Sequence, residues 1–494
     1  MMAEKILDAL KEVIDPELGI NIVDLGLVEG VEDTGTRVRV WLGMTSPACP
    51  VGPLMRSNAR EAVLRVPGVE NAEVLLAADF RWSPERMSNE AREQLAARAA
   101  APATPDLASV PITSRHLGEP EAVRALEAHA PESGQRTLAW RRLPLLAAGM
   151  LSLVAASWGG LVRLGWAWPI PEPAWVAAHG PLMVCGFLGT LIGVERAVGL
   201  EKRWAYAGPV FTGLGALSLL AASSGIAPAG LMTLGALVLV MVFASLLRRQ
   251  RDLATVTMSI GALCWLVGNV LWLSGSILSQ GVPWWMSFLV LTIAGERLEL
   301  SRFLEPPAGA TRAFGASVLA VLVGCTLSSL QTESGARVLG LGFLGLTVWL
   351  ARYDVARRTL SQPGLTRYVA VCLLSGYCWL AVSSVLSIGL SLPGAGPVYD
   401  AILHTLFVGF ALSMVFGHAP IIFPSVLNRP LVFRRAFYVH LVVLHVSLAM
   451  RSIGDLTGVS ELRLCGGLFN AAAIGLFLIN MIRSIQVRGP RRAL

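Results

Sequence analysis

Long apolar runs fill the chain from about residue 139 onward, and they constrain its fold more than any other feature. A helix needs about 20 mostly apolar residues to cross the hydrocarbon core of a bilayer. Runs of this kind lie at roughly 143–163, 175–197, 204–222, 228–247, 254–275, 282–301, 312–330, 336–353, 367–390, 398–424, 434–453 and 463–484. We therefore expect residues 139–494 to form an all-α, multi-pass membrane bundle of about 12 helices.

Composition and charge placement favour the same interpretation. The chain is 54% hydrophobic and 15% charged, whereas a soluble protein has about 25% charged residues. Arg and Lys flank the predicted spans almost entirely on one side, the exceptions being Arg163, Arg337, Arg451 and Arg463. Because positive residues stay on the cytoplasmic side, we expect both termini inside and a place in the inner cell membrane. The net charge of +7 has the same origin, so no nucleic-acid partner is expected.

Residues 1–95 have the pattern of a small soluble domain. Helical apolar spacing covers 3–14 and 52–65, and strand-like alternation covers 26–31, 36–43 and 71–77. The order α-β-β-α-β predicts an α+β fold. The charged, amphipathic N-terminus does not have the pattern of a signal peptide, so we expect this domain to stay in the cytoplasm.

Residues 96–138 differ from both flanking regions. They are rich in Ala, Pro, Ser and Glu and have no sustained apolar period. This composition predicts a flexible linker with one short helix near 119–129. His116 and His129 fall here and are expected to be solvated.

Cys49 is the candidate reactive residue of the N-terminal domain. It lies where a predicted strand gives way to a predicted helix, and a helix N-terminus favours the thiolate. Such a cysteine can be a nucleophile or a soft-metal ligand, although a buried turn cysteine has the same position in sequence. The six other cysteines lie in apolar runs without CxxC spacing, which predicts small core residues rather than a disulfide or zinc framework.

Three ordered motifs cover most of residues 1–95. The opening segment, which runs from Asp15 to Val28, resembles the signature of the iron–sulfur assembly family that includes SufT and the PaaD-type proteins. Thr45…Cys49-Pro50 is similar to the Cys loop of that family. The segment Arg81-Trp82-Ser-Pro84-Glu-Arg86-Met87-Ser resembles its closing motif.

The resemblance implies a domain that delivers or matures iron–sulfur clusters. Cys49 would then be the reactive thiol, and Cys49, Asp15 and Glu17 would be metal ligands. Asn21 and Asp24 also match the family, but we expect them to cap helices and hydrogen-bond the loop. One Cys cannot complete a cluster site, so a transient cluster would need a homodimer through this domain, or a partner that is an assembly protein or a client apoprotein.

Five histidines lie in the predicted spans: His179, His404, His418, His440 and His445. The topology places His179 and His404 toward the outer face, His418 and His440 toward the inner face, and His445 nearer the middle. Two imidazoles at one depth, from two helices, can bind haem iron or copper. A lone membrane histidine more often hydrogen-bonds a neighbouring helix.

A second resemblance concerns these histidines. The segment from His404 to Gly417-His418 resembles a motif of the NnrS family, which comprises haem- and copper-containing membrane proteins linked to nitric oxide stress. The segment Ala178-His179-Gly180 is similar to an early motif of that family, but the paired His and Glu found there are reduced here to His179. The resemblance implies haem b, with weaker support for copper, and a redox or nitric-oxide-related role.

Two predicted spans end in adjacent Glu and Arg residues, Glu195-Arg196 and Glu296-Arg297. We expect these residues to form ion pairs that fix the helix ends. The alternatives to a haem or metal protein are a transporter, because about 12 helices with both ends inside is a common carrier layout, and a membrane anchor for the first domain. No catalytic triad, P-loop or dinucleotide fingerprint is present, so we assign no enzyme activity.

Overall fold

The computed structural model describes residues 2–45, 49–77, 80–100, 133–170, 172–221, 226–330, 333–427, 429 and 431–485. Within these ranges a small domain with one sheet precedes an all-helical region. The short helix predicted near 119–129, His116 and His129 lie outside the described residues.

The N-terminal domain has a three-stranded sheet in the order β1-β2-β3. Its elements are α1 (Met2–Leu10), β1 (Val28–Asp33), β2 (Arg37–Leu42), α2 (Gly52–Leu64), β3 (Asn71–Leu76) and α3 (Asn89–Ala100). β1 and β2 pair antiparallel through a short hairpin, whereas β2 and β3 pair parallel and need α2 as the crossover. Val38, Val40 and Leu42 alternate into the core. The predicted α-β-β-α-β order is therefore confirmed.

Two details of this domain differ from expectation. α1 ends at Leu10 rather than at residue 14, because Ile14 forms an isolated β-bridge with Asn21 and is half exposed. α3 was not predicted, and it runs past residue 95, the expected limit of the domain. Its sequence is rich in Ala, Arg and Glu like the segment that follows, yet Ala91 and Leu95 are buried in the domain core.

Each predicted apolar segment coincides with a long helix. The helices are α4 (Ser133–Leu164), α5 (His179–Leu200), α6 (Ala207–Leu220), α7 (Ala227–Arg249), α8 (Leu253–Leu273), α9 (Leu278–Ser301), α10 (Ala308–Ser329), α11 (Glu333–Tyr353), α12 (Gly364–Leu390), α13 (Pro397–Leu427), α14 (Phe437–Thr457) and α15 (Ser460–Ser484). In the described part of the chain, 10 helices are long and apolar enough to cross a membrane. The other two are α6, which has 14 residues, and the less apolar α9.

The cysteines of the helical region divide into two groups. Cys185, Cys264, Cys325 and Cys372 are buried, as predicted for core residues. Cys378 and Cys465 are exposed, so the prediction is wrong for these two. Both lie on outward faces of their helices, where an apolar sequence does not distinguish a lipid-facing position from a core position.

π-helical segments interrupt two of the long helices. One is Leu182–Gly189 in α5, and the other is Thr405–Ala411 in α13. Each begins within three residues of a histidine, His179 or His404. π-helical turns are rare and occur frequently at functional sites, which agrees with the choice of His179 and His404 as candidate site residues.

Candidate functional site

The loop after α1 is organised by its own polar side chains. Asp15 Oδ1 accepts hydrogen bonds from the backbone N–H of Glu17 (2.9 Å) and Leu18 (3.0 Å). Asn21 Nδ2 donates to Asp24 Oδ2 at 2.6 Å, and Asp24 N–H donates to Asn21 Oδ1 at 2.8 Å. The expected loop hydrogen bonding of Asn21 and Asp24 is confirmed. These bonds fix the position from which the Glu17 side chain projects.

Cys49 lies three residues before α2 and is a free, partly exposed thiol. The pKa of this thiol is raised to about 12, chiefly by burial. The hydrogen bond from the Val51 N–H lowers the pKa, whereas the carboxylates of Asp15, Glu17 and Glu299 raise it. The expectation that the helix N-terminus favours the thiolate is therefore wrong for this arrangement, because burial and nearby negative charge outweigh a partial positive charge.

The two carboxylates beside Cys49 are shifted in opposite directions. Burial and the charge of Glu17 raise the pKa of Asp15 to about 6. Burial alone would raise the pKa of Glu17, but the hydrogen bond from His418 and the charge of Arg297 hold it below its ordinary value. At neutral pH Glu17 is thus fixed as an anion, whereas Asp15 titrates close to neutrality.

Glu17 reaches out of its own domain into the helical region. Its Oε1 lies 3.2 Å from His418 Nε2 and 3.5 Å from Arg297 Nη1. The other imidazole nitrogen of His418, Nδ1, lies 2.9 Å from the Met414 carbonyl oxygen. Because both ring nitrogens face acceptors, both carry hydrogens, and His418 is assigned as the imidazolium cation.

Behind this contact lies a buried ion pair of the helical region. Arg297 in α9 donates to both carboxylate oxygens of Asp354, from Nε at 2.8 Å and from Nη2 at 2.9 Å. The Tyr377 hydroxyl also donates to Asp354. The side chains of Arg297 and Asp354 are 1% and 0% exposed. A desolvated ion pair of this kind is stable only when its polar atoms are hydrogen-bonded. Here Arg297 contacts Glu17 of the N-terminal domain as well as Asp354.

Further contacts of the N-terminal domain with the helical region come from the same three motifs. Thr366 Oγ1 donates to the Pro16 carbonyl at 3.0 Å, Arg302 Nη2 to the Thr45 carbonyl at 2.8 Å, and Ser425 Oγ to the Pro50 carbonyl at 2.7 Å. The Trp82 ring packs on Phe303 with centroids 4.2 Å apart. We call Pro16, Glu17, Thr45, Pro50 and Trp82 the motif surface. Every member of it contacts the Arg-rich end of the helical region.

The structure brings His179 and His404 together at the other end of the bundle. Their ring centroids are 6.2 Å apart and their planes are 18° from parallel. His179 Nδ1 lies 2.7 Å from the Ala156 carbonyl oxygen, and His404 Nδ1 lies 2.8 Å from that of Asp400. Each Nδ1 therefore carries the hydrogen and each Nε2 keeps its lone pair. A carbonyl partner of this kind fixes the tautomer and orientation of metal-binding histidines.

The predicted inner pair does not form. His440 Nε2 contacts the Tyr368 hydroxyl at 2.9 Å, and its Nδ1 lies 3.0 Å from Asn480 Nδ2. His418 is occupied by Glu17. His445 accepts from Trp379 Nε1 at 2.9 Å, and its Nε2 contacts Ser375 Oγ at 2.9 Å. The rings of His440 and His445 are thus hydrogen-bonded to neighbouring helices, which is the ordinary role of a membrane histidine. The cofactor role of these two residues stays a prediction.

The two Glu-Arg segments form ion pairs, but not in the expected way. Arg196 contacts both Glu195 and Glu296, so it joins α5 to α9. Arg297 does not pair with its neighbour Glu296, because its side chain points to Asp354 and Glu17. Adjacent residues on a helix project about 100° apart, and Arg297 takes its partners from other elements.

The sequence analysis did not identify the residues of the helical region that contact the motif surface or support that contact. Asp354 was the one missed residue with a detectable signal, since it is a lone carboxylate in an Arg-rich flank. Thr366, Ser425 and Phe303 carry no such signal. In the described part of the chain, no group of three or more His, Cys, Asp or Glu side chains is placed to hold a metal ion.

An α/β domain with one loop cysteine contacts an all-helical region in which 10 of the described helices are long and apolar enough to cross a membrane. The chain belongs to the family described as "Domain of unknown function (DUF8744)", which matches residues 142–486, and residues 3–75 match the family described as "Iron-sulfur cluster assembly protein". The predicted membership of the first domain is confirmed. The resemblance of the helical region to NnrS stays a prediction.

Relatives of the N-terminal domain have matching names. The Fe-S protein maturation auxiliary factor YitW of Bacillus subtilis is 35% identical over 92 residues, 18% of this chain and 90% of that protein. SufT of Staphylococcus aureus is 38% identical over 82 residues, 16% of this chain and 92% of that protein. An iron-sulfur cluster carrier protein of Deinococcus radiodurans is 38% identical over 80 residues, 16% of this chain and 23% of that protein.

Among solved structures, the domain of unknown function DUF59 from Bacillus anthracis is 37% identical. The match covers 19% of this chain and 92% of that one, with a TM-score of 0.19.

Proposed function

We propose that this chain is a multi-pass inner-membrane protein that matures or delivers iron–sulfur clusters through its N-terminal module on the cytoplasmic side. The proposal is supported by the position of Cys49, which lies in the loop whose Thr45 and Pro50 carbonyls contact the Arg-rich end of the helical region. The relatives named as maturation factors match this module over nearly their whole length.

The cluster is cargo in this proposal, and Cys49 is its soft ligand. Iron prefers thiolate, so binding displaces the thiol proton. Asp15 lies close enough to act electrostatically on the thiol, and its pKa near 6 lets it accept that proton near neutral pH. A single cysteine leaves the remaining iron sites to an assembly protein, a client apoprotein or a second copy of the module.

The test is cluster transfer by the full chain in lipid nanodiscs, from a loaded donor to an apoprotein acceptor. Cys49→Ser should lower the transfer rate by about tenfold or more, the order of loss expected at metal sites. Cys378→Ser is the matched control and should transfer like wild type, because Cys378 is an exposed thiol of the helical region. Transfer that survives Cys49→Ser would refute the assignment.

A second candidate function rests on the outer histidine pair. Two imidazoles that bind one ion from opposite sides have centroids about 6 Å apart, since metal–nitrogen bonds are about 2 Å. His179 and His404 have this separation, and each keeps an Nε2 lone pair. His179 and His404 would hold a haem or one shared ion through these nitrogens, and the bound group would supply redox or gas-binding chemistry. Asp400 Oδ2 lies 2.7 Å from Arg451 Nη2, so this carboxylate is already paired and is not counted as a third ligand.

An absorption spectrum of protein expressed with ample haem tests this function. We expect a Soret band that His179→Ala and His404→Ala each abolish, whereas His445→Ala should leave it unchanged because Trp379 and Ser375 hold that ring. If wild type has no band, or if the band survives both substitutions, the outer pair is not a haem site. The transporter and passive-anchor alternatives stay predictions.

A further inference from the structure

The motif surface is covered by another part of the same chain. Pro16, Thr45 and Pro50 each offer a backbone carbonyl to a side chain of the helical region, and Trp82 stacks on Phe303. These contacts come from all three motifs that carry the resemblance to iron–sulfur assembly proteins. The helical region therefore occupies the face of the module that carries its chemistry.

The covering is specific, because it pairs one carboxylate of the module with two cations of the helical region. Glu17 lies between His418 and Arg297, and the side chains of Glu17 and His418 are each 17% exposed. A desolvated carboxylate needs such partners. Arg56 of the module adds a peripheral ion pair with Glu201 at 3.2 Å.

Comparison with relatives of the module shows that the helical region is additional to the part of the chain that they share. The matched region makes up 90% of YitW and 92% of SufT. Proteins of that length have no room for a helical region like the one described here. In this chain, a region that those relatives lack is therefore seated on the shared surface.

We propose that the helical domain is the resident partner of the motif surface, and that the docked arrangement is a closed state in which Cys49 is withheld from cluster donors and acceptors until the module lifts off. This inference rests on the proposed function, whose partner it names. Cys49 lies between Thr45 and Pro50 in its loop, and the backbone carbonyls of both residues accept hydrogen bonds from the helical region.

The test is the alkylation rate of Cys49 by N-ethylmaleimide in the full chain, measured on the Cys49 peptide by mass spectrometry. Glu17→Gln removes the buried charge, and Phe303→Ala removes the apolar contact from the helical side. Both should raise the rate by about tenfold, as expected if each shifts the opening equilibrium by about 1.4 kcal/mol. Glu32→Gln, the same change at an exposed site of β1, should stay within about twofold of wild type.

Cys185 provides an internal control for folding, because it is buried in the helical core and should stay unmodified in every variant. The closed state is refuted if Glu17→Gln and Phe303→Ala react like wild type, or if wild-type Cys49 reacts as fast as in the denatured chain. Phe303→Ala changes no charge, so its alkylation rate reports access to Cys49, whereas transfer by Cys49→Ser reports chemistry, and either proposal can fail without the other.

Discussion

At the scale of single residues, environment decides the chemistry more than residue type does. Cys49 precedes a helix, as expected, yet the pKa of its thiol is higher than that of a free thiol, because the thiol is buried and carboxylates lie nearby. Gly26 is equally constrained. It has φ +68°, and a Cβ there would lie 2.1 Å from the Arg86 carbonyl oxygen, so the opening and closing motifs meet at a position that only glycine fits.

Asp15 should make the stability of the N-terminal domain depend on pH. Its pKa is raised from 3.8 to about 6 in the folded chain, so folding favours the protonated form. Its stabilising contribution is complete below pH ~4 and is lost as the pH rises through ~6. Wild type should lose about 1 to 2 kcal/mol over this interval, which allows for the partial exposure of Asp15.

Hydrogen exchange of the β2 amides in the full chain measures this loss. Asp15→Asn should flatten the decline between pH 4 and 6, whereas Asp33→Asn, at the exposed hairpin turn, should keep the wild-type profile. Parallel profiles for wild type and Asp15→Asn would show that Asp15 is not the group responsible.

At the scale of elements, glycine sets how closely two helices approach. A Cβ on Gly324 of α10 would lie 2.3 Å from the Leu339 backbone nitrogen in α11, and one on Gly342 of α11 would lie 2.7 Å from the Val321 nitrogen. Small residues that let backbones approach are a common means of helix association in membranes. The α10–α11 pair therefore depends on glycines from both helices.

Gly324→Ala should destabilise this pair by about 1 to 3 kcal/mol, because the added methyl group overpacks the contact. Gly315→Ala is a matched control in the same helix, where no atom lies within 4 Å of the new Cβ. Its better helix propensity should leave stability equal or higher by up to about 1 kcal/mol. The melting temperature of the purified chain in detergent compares the two, and equal melting temperatures would contradict the contact.

At the scale of the whole molecule, the sequence predicted what depends on local pattern. Apolar runs placed the long helices, and span order placed His179 and His404 at one depth. The pairing of Glu17 with His418 and Arg297 could not be predicted from the sequence, because these residues lie far apart in the chain and no local pattern links them. α3 was missed since its composition merges with the segment that follows, and only tertiary burial of Ala91 and Leu95 distinguishes it.

The single cysteine of the module has a consequence for how these molecules would cooperate. If a cluster is completed by two modules, and the helical region spans a membrane as proposed, the two modules come from different molecules that are confined to the plane of one membrane. The two modules then meet by lateral diffusion, so the rate would follow the square of the number of molecules per unit area. Crowding into a patch of membrane would activate such a protein, and dilution by added lipid would silence it.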